Sequence, residues 1–154
     1  MKFLKIISIA MFAILMTACT STQVKLEVAA TDNLNMNRFD EALPVVLRVY
    51  QLSDIQSFKT ATFEELWKSD KSVLANSLIT VEERTVNPSE KLTIKFEQAE
   101  TAKYVGVFAL FRDRSDDNWR VFHDLNSGTL KLSTSLEVLL TSNSVKLPNV
   151  KEVD

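Results

Sequence analysis

Few residues of this chain are placed where they could catalyse a reaction. The single histidine, His123, lies near the end of a predicted strand with Asp124 beside it, and residues adjacent in sequence rarely act as a catalytic pair. Glu82 and Glu83 would point to opposite faces of a strand, so they cannot converge on one substrate. Asp116-Asp117 lies in a predicted turn, and no serine has the G-x-S-x-G context of a nucleophile turn. We therefore expect no catalytic residue and no enzyme activity.

Binding sites for metals, cofactors and nucleic acids are not expected either. Asp32 and Asp40 could hold Ca²⁺, but the spacing of an EF-hand loop is missing. One Cys and one His are too few for a thiolate cluster or a His-rich site, and the two glycines stand apart. A formal charge of -2, without interleaved basic and aromatic residues, argues against nucleic acid. We expect no cofactor, no metal and no small-molecule substrate.

The side chain for which the sequence predicts a specific chemical modification is the thiol of Cys19. A short basic start precedes an uncharged run over residues 6–18, which is too short to span a bilayer comfortably and fits a secretory signal peptide. The run ends in Met16-Thr17-Ala18-Cys19, which resembles the bacterial lipobox, where the thiol is acylated and the chain is cut before the Cys. We predict a signal peptide over residues 1–18 and a lipid-anchored linker over residues 19–22. The alternative is that Cys19 is an ordinary buried thiol.

The residue after the cysteine bears on which membrane would hold the anchor. In enterobacterial lipoproteins an Asp at that position favours retention in the inner membrane, whereas this chain has Thr20. Two or three acyl chains hold a protein on a membrane almost permanently, since each buried methylene contributes about 0.8 kcal/mol. We expect the protein on the periplasmic face of the outer membrane.

Residues 23–154 are predicted to form one β-sandwich domain. The chain is 45% apolar, which suffices for a core, and residues 23–30 alternate between apolar and polar as in a strand with one buried face. Asn87-Pro88-Ser89 predicts a hairpin between the third and fourth strands, and Ser142-Asn143 predicts another at the end. The strands predicted after the first are Val45–Leu52, Leu78–Val86, Leu92–Phe96, Lys103–Phe111, Trp119–Phe122, Leu136–Leu140 and Val145–Leu147. Seven or eight short strands with frequent turns indicate a two-sheet antiparallel sandwich.

A helical insertion is predicted around residues 57–76. Thr62 and Glu65 have the spacing of a capping box, so a helix should begin at Phe63. Leu66 and Trp67 share the face of Phe63, and Asp70 interrupts the stripe, which allows two short helices, the second capped by Asp70, instead of one. The stripe should face the core, with a ligand groove as the alternative. Within the strand that follows, Gly106 indicates a bulge or a close backbone approach.

The connection over residues 31–43 is long, polar and rich in asparagine. Loops of this length without structure of their own are uncommon and are often functional. The loop is therefore the first candidate for a binding site.

Several stretches of the chain, taken together, resemble the TssJ family (also called VasD or SciN), the outer-membrane lipoproteins of type VI secretion systems. The match follows the order of the family and covers nearly all of the mature chain. The stretches are the lipobox at Cys19, Asn33-Leu34-Asn35 before the strand PVVLRVYQL (44–52), the helical Phe58, Phe63 and Leu66, and YVGVFALFRD (104–113) with Trp119-Arg120 after it.

The resemblance implies a transthyretin-like β-sandwich with an added helical element. It also implies a partner, the periplasmic C-terminal domain of the large inner-membrane protein TssM, bound through the loop over residues 31–43. The apolar side chains expected to anchor the partner are Leu34, Met36 and Phe39, and those expected to form hydrogen bonds are Asn33, Asn35 and Asn37. The alternative is that the three apolar side chains only plug the end of the sandwich.

Four charged residues are assigned structural roles. They are Arg48, Arg112, Asp113 and Arg120. Arg112 with Asp113 should fix a turn and pack on Trp119 in a cation–π contact.

Two other functions stay open from the sequence. One is an envelope lipoprotein that binds a small ligand or another periplasmic protein, outside any secretion system, and it would require a deep apolar pocket. The other is a lipid-anchored hydrolase, which would require His123 to lie within hydrogen-bond reach of a nucleophile.

Overall fold

A computed structural model describes residues 21–115, 117–125 and 132–149 of the chain. The predicted signal peptide, Cys19, Thr20, Asp116 and residues 126–131 and 150–154 lie outside the described residues. Within them the chain forms two α-helices, α1 (Gln56–Thr60) and α2 (Phe63–Leu74), followed by a 3-10 turn (Ala75–Ser77). The strands are β1 (Gln23–Ala30), β2 (Val45–Leu52), β3 (Leu78–Val86), β4 (Lys91–Glu97), β5 (Tyr104–Ala109), β6 (Arg120–Asp124), β7 (Thr134–Leu140) and β8 (Val145–Lys146).

The strands form two four-stranded sheets. The first sheet has the order β4-β1-β7-β8 and the second has the order β3-β2-β5-β6. Neighbouring strands are antiparallel except for β1 and β7, which are parallel and pair from Val24 with Thr134 to Ala30 with Leu140. The predicted mainly β sandwich with a short helical insertion is confirmed, although the parallel pair departs from a purely antiparallel sheet.

The turn at Asn87-Pro88-Ser89 connects the two sheets. The prediction of a hairpin there is wrong, because β3 pairs with β2 in the second sheet whereas β4 pairs with β1 in the first. The backbone N–H of Ser89 donates to Thr31 O at 3.1 Å, and Ser89 itself has a φ of 62°. Turn-forming residues favour a reversal of the chain but do not decide which strands pair after it. The hairpin predicted at Ser142-Asn143 is confirmed between β7 and β8.

The interior of the sandwich is filled by alternate residues of the two facing sheets. Val24, Leu26 and Val28 of β1 are almost completely buried, as the alternation predicted, and Leu47 of β2 and Leu140 of β7 have no exposed surface. Burying a side chain of this size contributes about 1.5–3 kcal/mol to folding. The space between the sheets is therefore a packed core.

The helices cover the outer face of the second sheet. Phe58 of α1 is buried over Gly106, so closely that a Cβ at this glycine would lie 3.0 Å from the ring carbon Cζ of Phe58. The close approach predicted at Gly106 is therefore confirmed. Phe63 of α2 packs on the rings of Phe108 and Trp119, with centroid distances of 5.1 and 5.4 Å. The side chains of Phe58 and Phe63 thus pack on the outer face of the second sheet.

Helix α2 begins with the predicted capping box. The backbone N–H of Glu65 donates to Thr62 Oγ1 at 3.3 Å, and that of Thr62 donates to Glu65 Oε2 at 2.8 Å. The helix bends at Ser69, whose φ of -145° is not helical. Asp70 follows the bend, and its Oδ1 accepts the N–H of Lys71 at 2.8 Å. The interruption expected near Asp70 is therefore a kink at Ser69 that divides α2 into two short helices, as the sequence allowed.

Arginines from the second sheet hold the helices in place. Arg48 Nη1 donates to the carbonyl oxygens of Leu66 and Trp67, at 3.0 and 3.1 Å, in the turn before the kink. Arg120 donates to Phe58 O at 2.8 Å, and its guanidinium lies 4.3 Å from the ring centroid of Trp119. The cation–π contact predicted between Arg112 and Trp119 is wrong, since the side chain that stacks on this ring is that of Arg120.

Candidate partner-binding site at the end of the sandwich

The loop over residues 31–43 lies at the end of the sandwich where β1 stops and β2 starts. Its first residue, Thr31, donates its backbone N–H to Leu140 O of β7 at 2.9 Å. Further along, the N–H of Leu43 donates to Leu34 O at 3.0 Å, which closes the loop on itself. The loop is therefore attached to the first sheet and is built around its own backbone contacts.

The first half of the loop points into the sandwich. Leu34 has no exposed surface, and Asn35 is only 4% exposed. Asn35 Nδ2 donates to Pro44 O at 2.8 Å, while its Oδ1 accepts the backbone N–H of Arg112 at 2.9 Å. The φ of Asn35 is 48°, in the left-handed region that asparagine tolerates better than most residues. Both side chains are thus used to hold the loop on its neighbours.

Asn37 closes a turn in the second half of the loop. Its Oδ1 accepts the backbone N–H groups of Phe39 and Glu41, at 2.8 and 3.1 Å, and its Nδ2 donates to the Glu41 carboxylate at 2.8 Å. This turn presents Phe39, which is 67% exposed, with the Arg38 guanidinium 4.7 Å from its ring centroid. An aromatic side chain this exposed is available to a partner.

The structure divides the six residues expected to bind a partner. Leu34 and Asn35 are buried, Met36 and Asn37 are partly buried, and Asn33 and Phe39 are exposed. In this conformation the side chain of Leu34 plugs the end of the sandwich and does not reach the surface. Contact with a partner remains a prediction for the exposed and partly buried members of the set.

Residues 35–39 of the loop form one wall of a surface groove with a volume of about 1040 Å³. A second wall comes from α2, where Phe63 and Trp67 have ring centroids 6.3 Å apart and Trp67 is 44% exposed. The third wall is residues 110–114, directly after β5. The floor includes Val46 of β2, whose carbonyl oxygen accepts the N–H of Leu110 at 2.9 Å.

Arginine side chains surround this groove. Arg38, Arg112 and Arg114 all line it. The Arg114 guanidinium lies 4.5 Å from the ring centroid of Phe63, and its Nη1 contacts Glu64 Oε1 at 3.0 Å. Hydrogen bonds from Lys68 and Arg114 lower the pKa of Glu64. The groove therefore combines exposed aromatic rings with positive charge.

The sequence reasoning missed two of the three walls. Trp67 was expected to belong to a core-facing stripe, and no binding role was assigned to Arg112 or Arg114. Arg112 and Arg114 are two residues apart directly after a buried strand, so their side chains can lie on the same face. This spacing could have identified them as candidates for binding.

Apart from the groove, the structure also bears on His123, metal binding and membrane-spanning helices. His123 pairs with Val105 across β5 and β6, and burial lowers its pKa, so the imidazole is neutral near pH 7. Over the described ranges of the chain, no group of three His, Cys, Asp or Glu side chains is arranged to hold a metal ion. The helices within those ranges are too short or too polar to cross a membrane.

Comparison with known proteins links this fold to one secretion system. The family described as "Type VI secretion lipoprotein, VasD, EvfM, TssJ" matches residues 22–143. The crystal structure of the lipoprotein TssJ1 from Pseudomonas aeruginosa has 25% identity and a TM-score of 0.77, over 86% of this chain and 99% of that one. None of the curated proteins matches this chain.

Two further solved structures are similar. Lip from Serratia marcescens, described as a membrane-bound component of the type VI secretion system, shares the fold at 22% identity, with a TM-score of 0.77 over 88% of this chain and 100% of that one. A structure described as the TssM C-terminal domain from EAEC has 25% identity and a TM-score of 0.71, over 83% of this chain and 98% of that one. The resemblance seen in the sequence is confirmed. Since the family match spans β1 to β7 and includes the whole groove, the chain belongs to the type VI secretion lipoprotein family.

Proposed function

We propose that this protein is an outer-membrane lipoprotein that anchors the type VI secretion membrane complex. In this role it binds the periplasmic C-terminal domain of the inner-membrane component TssM. The observation that carries the proposal, beyond family membership, is the position of the groove at the end of the sandwich opposite the start of β1.

The direction of β1 gives the molecule two distinct ends. The strand starts at Gln23, shortly after the proposed anchor at Cys19, and its eight residues run to Ala30. At about 3.3 Å per residue this strand spans about 26 Å. The acylated end would thus rest near the membrane, while the loop over residues 31–43 and the groove would face the periplasm.

The relatives support a partner in the membrane complex. One similar structure is described as the TssM C-terminal domain, and another protein of the same fold is described as membrane-bound. A tether raises the effective concentration of the groove at the membrane face, so that moderate intrinsic affinity suffices for a stable complex. Anchoring and binding therefore act together in this proposal.

A small-ligand lipoprotein is a weaker explanation of the structure. Such a protein needs a deep pocket that buries most of its ligand. Here the space between the sheets is filled by side chains such as Leu26, Leu47 and Leu140, which have no exposed surface. The groove is instead an open feature of the outer surface with exposed aromatic walls, as is typical of protein interfaces.

The anchor is tested by Cys19→Ser in cells that carry the rest of the secretion system. We expect a folded protein that is no longer acylated and no longer fractionates with the outer membrane, together with loss of secretion. Mass spectrometry of the native protein should find acyl chains on Cys19 and residues 1–18 removed. The matched control is Ser21→Ala, close to the anchor, which should leave fractionation and secretion unchanged.

The partner is tested by mixing the acylated protein in detergent with the periplasmic domain of TssM from the same organism. A stable complex supports the proposal. Normal membrane fractionation and secretion of Cys19→Ser, or no complex with the TssM domain, would refute it.

A further inference from the structure

The lining of the groove is net positive, whereas the whole chain has a slight net negative charge. The whole protein has 18 basic and 20 acidic residues. The groove is nevertheless lined by Arg38, Arg112 and Arg114, and the acidic residue among its lining is Asp113. The residues that line the groove therefore carry a net positive charge, although the molecule as a whole is slightly acidic.

Two of these arginines are available to a ligand. No ion pair among the described residues involves Arg38 or Arg112. Arg114 already contacts Glu64, which is shared with Lys68 at 2.6 Å. A guanidinium without an ion pair can donate two parallel hydrogen bonds to a carboxylate without first breaking an ion pair.

The acidic residue beside these arginines, Asp113, already accepts a hydrogen bond from the backbone of the turn that follows it. Asp113 Oδ1 accepts the N–H of Ser115 at 3.0 Å, so this carboxylate is directed to the turn that follows it. Hydrogen bonding from Ser115 also lowers the pKa of Asp113, which stays ionised. The carboxylate reduces the local positive charge but does not pair with Arg38 or Arg112.

Exposed aromatic rings line the groove together with the arginines. Phe39 on the loop and Trp67 on α2 are 67% and 44% exposed, and they approach the groove from different elements. Aromatic residues with arginines nearby are the side chains that most often dominate binding energy at protein interfaces. The floor thus suits an apolar side chain, and the rim suits carboxylates on either side of it.

We propose that the groove binds an acidic segment of the partner in which an aromatic or aliphatic side chain is flanked by carboxylates. The proposal rests on the function proposed above and specifies the chemistry of the partner. The apolar side chain packs between Phe39 and Trp67. The flanking carboxylates pair with Arg38 and Arg112, one at each side of the groove.

Two synthetic peptides separate charge from hydrophobicity. Both are labelled with fluorescein and carry the same central phenylalanine, with glutamates around it in one and lysines in the other. They are titrated with the acylated full protein in detergent, and fluorescence polarisation measures binding. We expect the glutamate peptide to bind about ten-fold more tightly than the lysine peptide, and this preference to weaken as salt is added.

The double variant Arg38→Glu/Arg112→Glu should invert the preference between the peptides. It should also weaken binding of the TssM domain by about ten-fold or more. The matched control is Lys91→Glu/Lys95→Glu, which makes the same change in charge at exposed positions of β4 in the other sheet. If the charge reversal prevents folding, the neutral variant Arg38→Gln/Arg112→Gln replaces it. This variant should abolish the preference for the glutamate peptide without inverting it.

The outcomes separate the two proposals. Equal binding of the two peptides, or an unchanged affinity of the double variant for the TssM domain that the wild type binds, would overturn the assignment of the groove and leave the anchoring function intact. If the peptides discriminate as expected and the wild type does not bind the TssM domain, the anchoring function fails and the assignment of the groove holds.

Discussion

In the first half of the loop over residues 31–43, Leu34 is completely buried and Asn35 bonds to Pro44 and to the backbone of Arg112. In the second half, Phe39 keeps most of its surface exposed, and its turn is held mainly by Asn37. The two halves are adjacent in sequence but contribute to different processes. The buried half stabilises the fold, and the exposed half adds Arg38 and Phe39 to the lining of the groove.

This difference separates folding from binding within one segment. Residues that are already buried gain little from a partner, because they have left water before the partner arrives. An exposed aromatic residue gains its burial energy only in the complex. Substitutions in the buried half should therefore change the free energy of unfolding, and substitutions in the exposed half should change the affinity for the partner.

The largest effect on stability is expected from Leu34→Ala. The substitution leaves a cavity at the end of the core and should lower the free energy of unfolding by about 3 kcal/mol. Chemical denaturation followed by circular dichroism measures the change. Met36→Ala, two residues away and only partly buried, is the control and should cost less than about 1 kcal/mol. Equal losses for the two variants would show that Leu34 does not plug the sandwich.

A smaller effect is expected from Asn35→Ala. The change leaves the Arg112 N–H and the Pro44 carbonyl without their side-chain partner, and it places alanine at a positive φ. The free energy of unfolding should fall by about 2 kcal/mol. Asn33→Ala is the matched control. Asn33 is exposed, and its side-chain oxygen accepts a hydrogen bond from the hydroxyl of Thr31 within the same loop. A loss as large for Asn33→Ala would place the attachment of the loop elsewhere.

Local features of the fold could be predicted from the sequence. The alternation in β1 and the capping box at Thr62 and Glu65 depend on residues a few positions apart, and both are confirmed. The pairing of β7 with β8 across Ser142-Asn143 was also predicted, but the pairing of strands that are distant in the sequence was not. A turn sequence such as Asn87-Pro88-Ser89 is compatible with a hairpin and with a connection between two sheets. The residues of β1 likewise do not indicate that its parallel neighbour is β7.

The candidate site shows the same limit. Leu34 and Phe39 are both apolar residues in a polar loop, and both were predicted to anchor the partner. Their different burial is decided by contacts such as that between Asn35 and Arg112, which are 77 residues apart. The groove likewise needs α2 and residues 110–114 beside the loop, a juxtaposition that only the fold creates.

The smallest effect on stability, and a large effect on binding, is expected from Phe39→Ser. Because Phe39 is largely exposed, the free energy of unfolding should change by less than about 0.5 kcal/mol. Affinity for the TssM domain should fall by about ten-fold or more, since the ring loses its packing in the complex. Leu132→Ser is a matched control, because Leu132 is also 67% exposed and does not line the groove. It should leave the affinity, measured by calorimetry, unchanged. An unchanged affinity for Phe39→Ser would mean that the exposed half of the loop does not meet the partner, and the contrast between the two halves would then concern stability alone.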